Sequence, residues 1–219
     1  MYLPDHFAEH QRDRLLQTMR DWPLATIIRG STAGLTADHV PLIVVEEAGV
    51  LRLQGHVPLA NPLGADGADE STVLVIFHGS QAYISPAWYP AKQAHGRVVP
   101  TWNYQVVHAT GRLHVIRDPA WIRRQIDALT TQQETDMETP WHVDDAPVQY
   151  TAKLASQLKG IEIEVSQLIG KTKASQNQSE ANRRGGVAGL SGMPEGRGAS
   201  IETLVRQSLD GVSDPESAQ

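Results

Sequence analysis

The sequence predicts an α+β, mainly β protein: an antiparallel barrel or closed sheet with helices at its periphery. Three observations predict it. Short runs rich in β-branched residues follow one another through the first half of the chain, bounded by Gly, Pro and Asp. Neighbouring runs are joined too closely for a crossover helix, so they form an antiparallel meander. Helical stripes occur near the start and after Asp118, without the strand–helix alternation of a doubly wound sheet.

The elements follow in order. Leu15, Leu16 and Met19 stripe a first helix over residues 11–21, which Pro23 stops. Residues 25–29 read as a strand and 30–34 as a turn. A strand follows at 35–45, with Pro41 marking an edge or bulge, and it returns over 50–56 after a hairpin at 46–49. Residues 58–62 suit a short helix start, and 64–67 a loop. Strands at 71–78 and 81–85 flank Gly79-Ser80, which fits a tight hairpin. An ordered loop spans 88–100, and a strand runs over 104–116 with a bulge at Gly111. Asp118-Pro119 starts a helix striped by Trp121, Ile122, Ile126 and Leu129. A further helix opens at Asp144 and ends by Gly160, and 161–165 alternate as a half-buried strand. Residues 179–190 suit a short helix, with Gly185-Gly186 as a helix-breaking turn. Ile201, Leu204, Val205 and Leu209 stripe the last helix, and 212–219 read as a frayed tail. The expected organisation is one domain over residues 1–190 with a C-terminal helix and tail at 191–219.

Composition narrows the function. The 219 residues are 40% hydrophobic and 20% charged, normal for a globular protein, and carry a net charge of −6. That balance argues against broad contact with phosphate backbones, and no helix-turn-helix with a basic recognition helix is visible. With no Cys, there are no disulfides, thiol nucleophiles, iron–sulfur clusters or Cys-type zinc sites. The N-terminus lacks a basic and then apolar leader, and no apolar run is long enough to span a bilayer, so the expected setting is cytoplasmic.

The signatures HExxH, GxSxG, the Walker loop and GxGxxG are missing. The carboxylate pairs Glu46-Glu47 and Asp144-Asp145 read as a hairpin and a helix cap. His39, His56, His78, His108 and His114 fall in or beside strands, as core or rim residues or as haem or metal ligands. His56 and Asn61 flank a strand-to-helix turn whose backbone N–H groups suit an anion. Lys171 and Lys173 share a strand face, followed by Ser175-Gln176-Asn177. Between Phe77 and Gln105, the rings of Tyr83, Trp88, Tyr89, Trp102 and Tyr104 lie among prolines, as a rigid ligand wall or a core corner.

These residues bear a family resemblance. Gly55-His-Val-Pro-Leu-Ala-Asn-Pro62, Ala82-Tyr-Ile-Ser-Pro-Ala-Trp-Tyr-Pro90, Val98-Val-Pro-Thr-Trp-Asn-Tyr104 and Lys173-Ala-Ser-Gln-Asn177 occur in the order found in PaiB-like proteins. With Met1-Tyr-Leu-Pro-Asp-His-Phe7, the resemblance runs to Leu190. That family groups FMN-binding negative transcriptional regulators, and the resemblance implies a split β-barrel like that of pyridoxamine phosphate oxidase and the flavin reductases. It further implies a homodimer holding FMN at the interface. Thr36 and His39 would lie along the isoalloxazine, and His56 and Asn61 by the phosphate or ribityl chain. Trp102, Asn103, Tyr104, Lys173, Gln176 and Asn177 would reach the flavin across the dimer, leaving residues 83–89 as a corner or dimer surface. The loop at 64–70 and the region beyond Leu190 depart from the pattern. Regulation would run through the flavin or a protein partner; the alternatives are an FMN-dependent oxidoreductase and a haem-binding split barrel.

Overall fold

The computed structural model describes residues 1–32, 34–193 and 199–210. In chain order they form β1 (Ala8–Glu9), α1 (Arg12–Asp21), β2 (Leu24–Ser31), β3 (Gly34–Pro41), β4 (Ile43–Glu47) and β5 (Val50–Pro58). There follow β6 (Thr72–Ile84), α2 (Ala91–His95), β7 (Thr101–Ile116), α3 (Pro119–Glu134) and α4 (Val148–Ala155). The chain ends in β8 (Leu158–Lys173), α5 (Glu180–Ser191) and α6 (Ala199–Asp210). The tail expected at 212–219 lies outside the described residues.

The strands join in the order β3-β2-β6-β7-β8-β5-β4, with β1 paired to β8. The ladders β1–β8, β2–β3, β2–β6, β4–β5 and β5–β8 are antiparallel, and the short connections of β2–β3 and β4–β5 require it of those two. Among the described residues the hydrogen-bonded path stays open, with β3 and β4 as its ends. The antiparallel sheet with peripheral helices is as expected, but the closed sheet is not: no ladder joins β3 to β4 among the described residues.

The chain divides into two compact units, to each of which β6, β7 and β8 contribute a segment. The larger comprises residues 13–77 and 107–168. Its core buries Met19, Ile27, Leu53, Val75, Phe77, Leu113, Ile161 and Ile163, and α1 adds Leu15 and Leu16. β5 shows why: every second residue from Leu51 to Val57 is buried, the period of a strand with one wet face. The smaller unit comprises residues 1–12, 78–106 and the described residues from Ile169 on. There Ala82, Ile84, Tyr89 and Ala174 meet Val187 and Leu190 of α5 and Ile201 and Val205 of α6.

Helix α3 starts as expected, with the Asp118 carboxylate accepting from the Ala120 N–H at 2.9 Å and Pro119 in the first turn. Several other expectations are corrected. The strand expected at 35–45 is two, because Pro41 ends β3 and the Leu42 N–H turns to the Pro23 carbonyl at 2.9 Å. The hairpin at Gly79-Ser80 does not form; β6 runs through it without a positive φ. A Cβ at Gly79 would stand 3.0 Å from the Gln105 Cβ, so this glycine makes room for a neighbour. The loop at 88–100 contains α2, closed by Gly96 at φ 69°.

Gly111 makes no bulge either. β7 is continuous there, and buried residues alternate from Val107 to Val115, which leaves His108 and His114 on one face. The helix expected from Asp144 to beyond residue 155 is instead a 3₁₀ turn (Val143–Asp145) followed by α4. Gly160 lies inside β8, where a Cβ would come within 2.4 Å of the Trp121 ring. Gly185 and Gly186 lie inside α5 and break nothing.

Candidate functional site

In the smaller unit, β1 lays the N-terminal segment along the end of β8, pairing Ala8 with Lys171 and Glu9 with Gly170. That short ladder brings aromatic rings to a lysine. Lys171 is only 8% exposed. Its ammonium lies 5.3 Å from the Tyr104 ring, 5.7 Å from Tyr2 and 6.0 Å from Phe7, and donates to the Tyr2 carbonyl at 3.1 Å. Two residues along the same face, the Lys173 ammonium lies 5.9 Å from the Phe7 ring and donates to the Thr101 hydroxyl.

Neither ammonium meets a carboxylate among the described residues. Burying a cation without a counter-ion is costly, and a ring face returns only about 0.5–2 kcal/mol. Two such cations on one strand face make an electropositive seat.

Beside it lies a buried polar group. Asn103 is fully buried; its amide donates to the Ser175 hydroxyl at 2.9 Å, while its Oδ1 has no partner. Ser175 sits at φ 62°, in the left-handed region that costs a non-glycine residue energy. The buried Tyr89 hydroxyl is also unpartnered; burial pushes its phenol pKa up, and Ser175 opposes the shift weakly from outside hydrogen-bonding geometry. An unmet buried acceptor and an unmet buried donor each cost about 1–3 kcal/mol.

Next to buried Asn103, Trp102 points outward at 54% exposure, and its ring meets that of Tyr83 edge-on at 6.1 Å and 72°. The two form an apolar corner open to solvent, in which each ring keeps a face of its own. Asn177 is likewise exposed, and its amide makes no bond among the described residues. Gln176 differs: its Oε1 accepts from the Ala174 N–H and its Nε2 donates to the Thr172 carbonyl, so both ends serve its own turn.

The remaining sequence-predicted residues belong to the larger unit. Thr36 and His39 are exposed on β3; the hydroxyl donates to the Arg29 carbonyl at 3.4 Å, and His39 Nδ1 lies 3.1 Å from the Thr26 hydroxyl. Asn61 caps the 3₁₀ turn Pro62–Gly64 by accepting from the Leu63 N–H and donating to Asp38 at 2.8 Å, which occupies both ends of its amide. His56 Nδ1 lies 2.7 Å from Oε1 of the buried Gln125 and therefore carries the proton there. Arg29, which the sequence does not mark as a site residue, has a buried Nε without a partner.

One carboxylate cluster suits a metal by composition. Asp69, Glu70 and His114 bring ligand atoms within 4.8 Å of one another. Glu70, however, is held by Arg112 at 2.8 Å and His114 at 2.9 Å, and Asp69 accepts from the Val115 N–H. Both oxygens of Glu70 are thus already engaged, one by the Arg112 guanidinium and one by His114.

Sequence reasoning misses Tyr2, Phe7 and Arg29, and it marks Tyr89 only as a ring of the wall or corner, Ser175 only within a polar run and Lys171 only as a strand-face cation. The available signal is the clustering of motifs at the chain start and around Ser175, whose pairing only the fold reveals.

Comparison with known proteins agrees with this architecture. Residues 1–167 match the family described as "Putative FMN-binding domain". An uncharacterised protein of Emericella nidulans is 32% identical over 245 residues, covering 94% of this chain and 97% of its own. The protease synthase and sporulation protein PAI 2 of Bacillus subtilis is 27% identical, covering 83% and 85%. Among solved structures, the FAD and haem binding protein of Mycobacterium smegmatis superposes with a TM-score of 0.55 at 15% identity, covering 76% of this chain and 73% of that one. The fold is that of the split-barrel flavoproteins.

Proposed function

This chain belongs to the family described as "Putative FMN-binding domain", and from that premise we propose that it is an FMN-binding, homodimeric, cytoplasmic protein acting through its flavin or a partner protein. The observation that carries this reading is the pair Lys171 and Lys173, two cations on one strand face with no carboxylate partner among the described residues. A phosphate monoester supplies the missing charge, and the open Trp102 ring, with Tyr83 edge-on beside it, offers a face to a flat heterocycle. The donor set fits FMN: Lys171 and Lys173 would hold the phosphate, Trp102 the ring system, and the free amide of Asn177 a polar edge. When bound, FMN supplies electron transfer at its isoalloxazine. The chain's own part is to bind and orient it, with the Asn103–Ser175 hydrogen bond tying the start of β7, which carries Trp102, to the end of β8, which carries Lys173.

A regulatory role is supported by the resemblance to PaiB-like proteins and by the kinship with PAI 2. The net charge of −6 supports action through a partner protein over direct contact with DNA. No helix among the described residues is long and apolar enough to cross a membrane. A second reading, haem, is favoured by the shared fold with the M. smegmatis protein, which binds both FAD and haem.

The test is a titration of FMN and riboflavin, followed by flavin fluorescence. FMN should bind more tightly than riboflavin, and K171Q/K173Q should erase the difference, since charge-assisted bonds contribute roughly 1.5–3 kcal/mol, about ten-fold or more. Riboflavin affinity should stay unchanged in that variant, while W102A should weaken both ligands by about 1–3 kcal/mol, by analogy with base stacking on aromatic side chains. Absence of FMN binding at micromolar concentration, or a Soret band without flavin absorption in the purified protein, would overturn the reading. Thr36 and His39 keep the role the resemblance assigns them only if their alanine variants also weaken FMN. Turnover of NADPH with bound FMN would favour the oxidoreductase alternative over a binding role, and sedimentation reads the dimer.

A further inference from the structure

Helix α4 (Val148–Ala155) has no buried side chain. A helix this short does not sustain itself in water and depends on what its face covers. One face, carrying Thr151 and Ala155, stands over a cavity of about 490 Å³ within the larger unit. That volume is in the usual range for small-molecule pockets, about 300–1,000 Å³. The remaining wall is apolar, from Leu59, Pro119, Ile122 and Leu158.

The charged side chains that line the cavity have one sign. Arg117, Arg123 and Lys159 line it, and no carboxylate does. Arg117 is paired with Asp66, and Arg123 with Asp127 and Asp144. Lys159 is not paired: its half-buried ammonium donates to the Gly64 carbonyl at 2.7 Å and meets no carboxylate among the described residues. Two of its three donor positions remain for a ligand.

We propose that this cavity binds an amphipathic monocarboxylate, an aliphatic acid whose chain lies beneath α4 and whose carboxylate accepts hydrogen bonds from Lys159. The chain supplies the apolar contact that α4 lacks, and the acid supplies the anion that Lys159 lacks. The small residues Ala152, Ala155 and Ser156 on this face leave room for such a chain. A protein partner would find its contacts on the other side of the helix, where Tyr150 and Leu154 are 59% and 45% exposed.

The experiment is calorimetry of the full flavin-loaded chain with sodium octanoate and with 1-octanol, repeated on K159Q and A155F. Octanoate should bind once per chain and at least about ten-fold more tightly than octanol, the scale of one charge-assisted bond. K159Q should lower octanoate to the octanol level and leave octanol unchanged, and A155F should abolish both. Flavin absorbance retained in both variants separates this result from the fate of the flavin reading. Equal affinity for acid and alcohol, or octanoate binding that survives both substitutions, overturns the proposal. So does a parent chain that binds neither ligand while A155F lowers its oligomeric state in sedimentation, because a second copy would then fill the cavity.

Discussion

Replacing Gly189 by alanine should drive a methyl group into the indole of Trp88. Gly185 and Gly189 lie one turn apart on α5, and together they make a groove for that residue. A Cβ at Gly189 would stand 2.1, 2.3 and 2.5 Å from Trp88 Cδ2, Cγ and Cε2. Carbon atoms in contact sit about 3.5–4.0 Å apart, so the ring or the helix must shift by more than an ångström. Two terms oppose each other. Alanine gains about 0.8–1.0 kcal/mol over glycine in a helix interior. Overpacking costs about 1–3 kcal/mol, and a rigid bicyclic ring puts this site at the upper end. The net is a loss of about 1–2 kcal/mol, or roughly 2–8 °C in Tm for a chain of this size. In a Trp88→Ala background the methyl meets no ring, and the same substitution should stabilise by about 1 kcal/mol. Thermal and urea unfolding of the four proteins in the cycle reads the sign reversal, with a coupling of about 2–3 kcal/mol. Equal effects of Gly189→Ala in the two backgrounds would refute the groove. Gly185→Ala is the internal control. Its Cβ would lie 2.1 Å from the Trp88 carbonyl oxygen, a backbone atom that truncating the indole does not remove, so Trp88→Ala should not rescue it.

Two pH dependences complete the predictions. The hydrogen bond from Arg112 holds the Glu70 carboxyl below its ordinary value, with His114 adding to the effect. A depressed folded-state pKa contributes stability that is present above the unfolded value, near 4.3, and is lost as pH falls through the folded one. Glu70→Gln should therefore flatten the acid limb of the stability profile in that window, most at low salt; an unaltered slope would show that the network adds nothing measurable. Burial raises the Tyr89 phenol above its ordinary value near 10. A raised folded-state pKa contributes stability that is present below the unfolded value and lost as pH rises through the folded one. Phenolate absorbance should accordingly show one tyrosine titrating late and with unfolding, and Tyr89→Phe should remove that component; a Phe variant with the same late component would assign it elsewhere.

Local pattern carries the strands and helices that depend on local pattern. The stripe Leu15, Leu16, Met19, the alternation in β5 and the Asp118-Pro119 helix start all stand where periodicity and capping put them. The misreadings at glycines share one cause. Gly79, Gly111, Gly160 and Gly185 look locally like turn, bulge or stop signals, yet each lies inside a regular element. In each case a Cβ would collide with a residue distant in sequence: Gln105, Glu164, Trp121 or Trp88. Glycine answers two demands, a special backbone angle or a close neighbour, and the second leaves no mark in adjacent residues.

The site divides along the same line. Trp102 and Lys173 can be chosen by residue type as candidates, because an exposed ring and a cation are what the proposed FMN would use. The roles of Asn61 and Gln176 cannot, because amides that suit a ligand also suit a turn, and only the hydrogen bonds show which use is made. Lys171 is the instructive case. Its rings come from positions 2, 7 and 104, and the strand that delivers two of them, Ala8–Glu9, is too short to show any period. A subtler signal is nevertheless present. No Asp or Glu stands between Glu164 and Glu180, while Lys171 and Lys173 point to one face of that stretch. A strand that buries a lysine with no acid nearby must satisfy it through rings, carbonyls or a ligand. Tyr2, Phe7 and Tyr104 meet part of that demand for Lys171, and the part they leave is what argues for an anion.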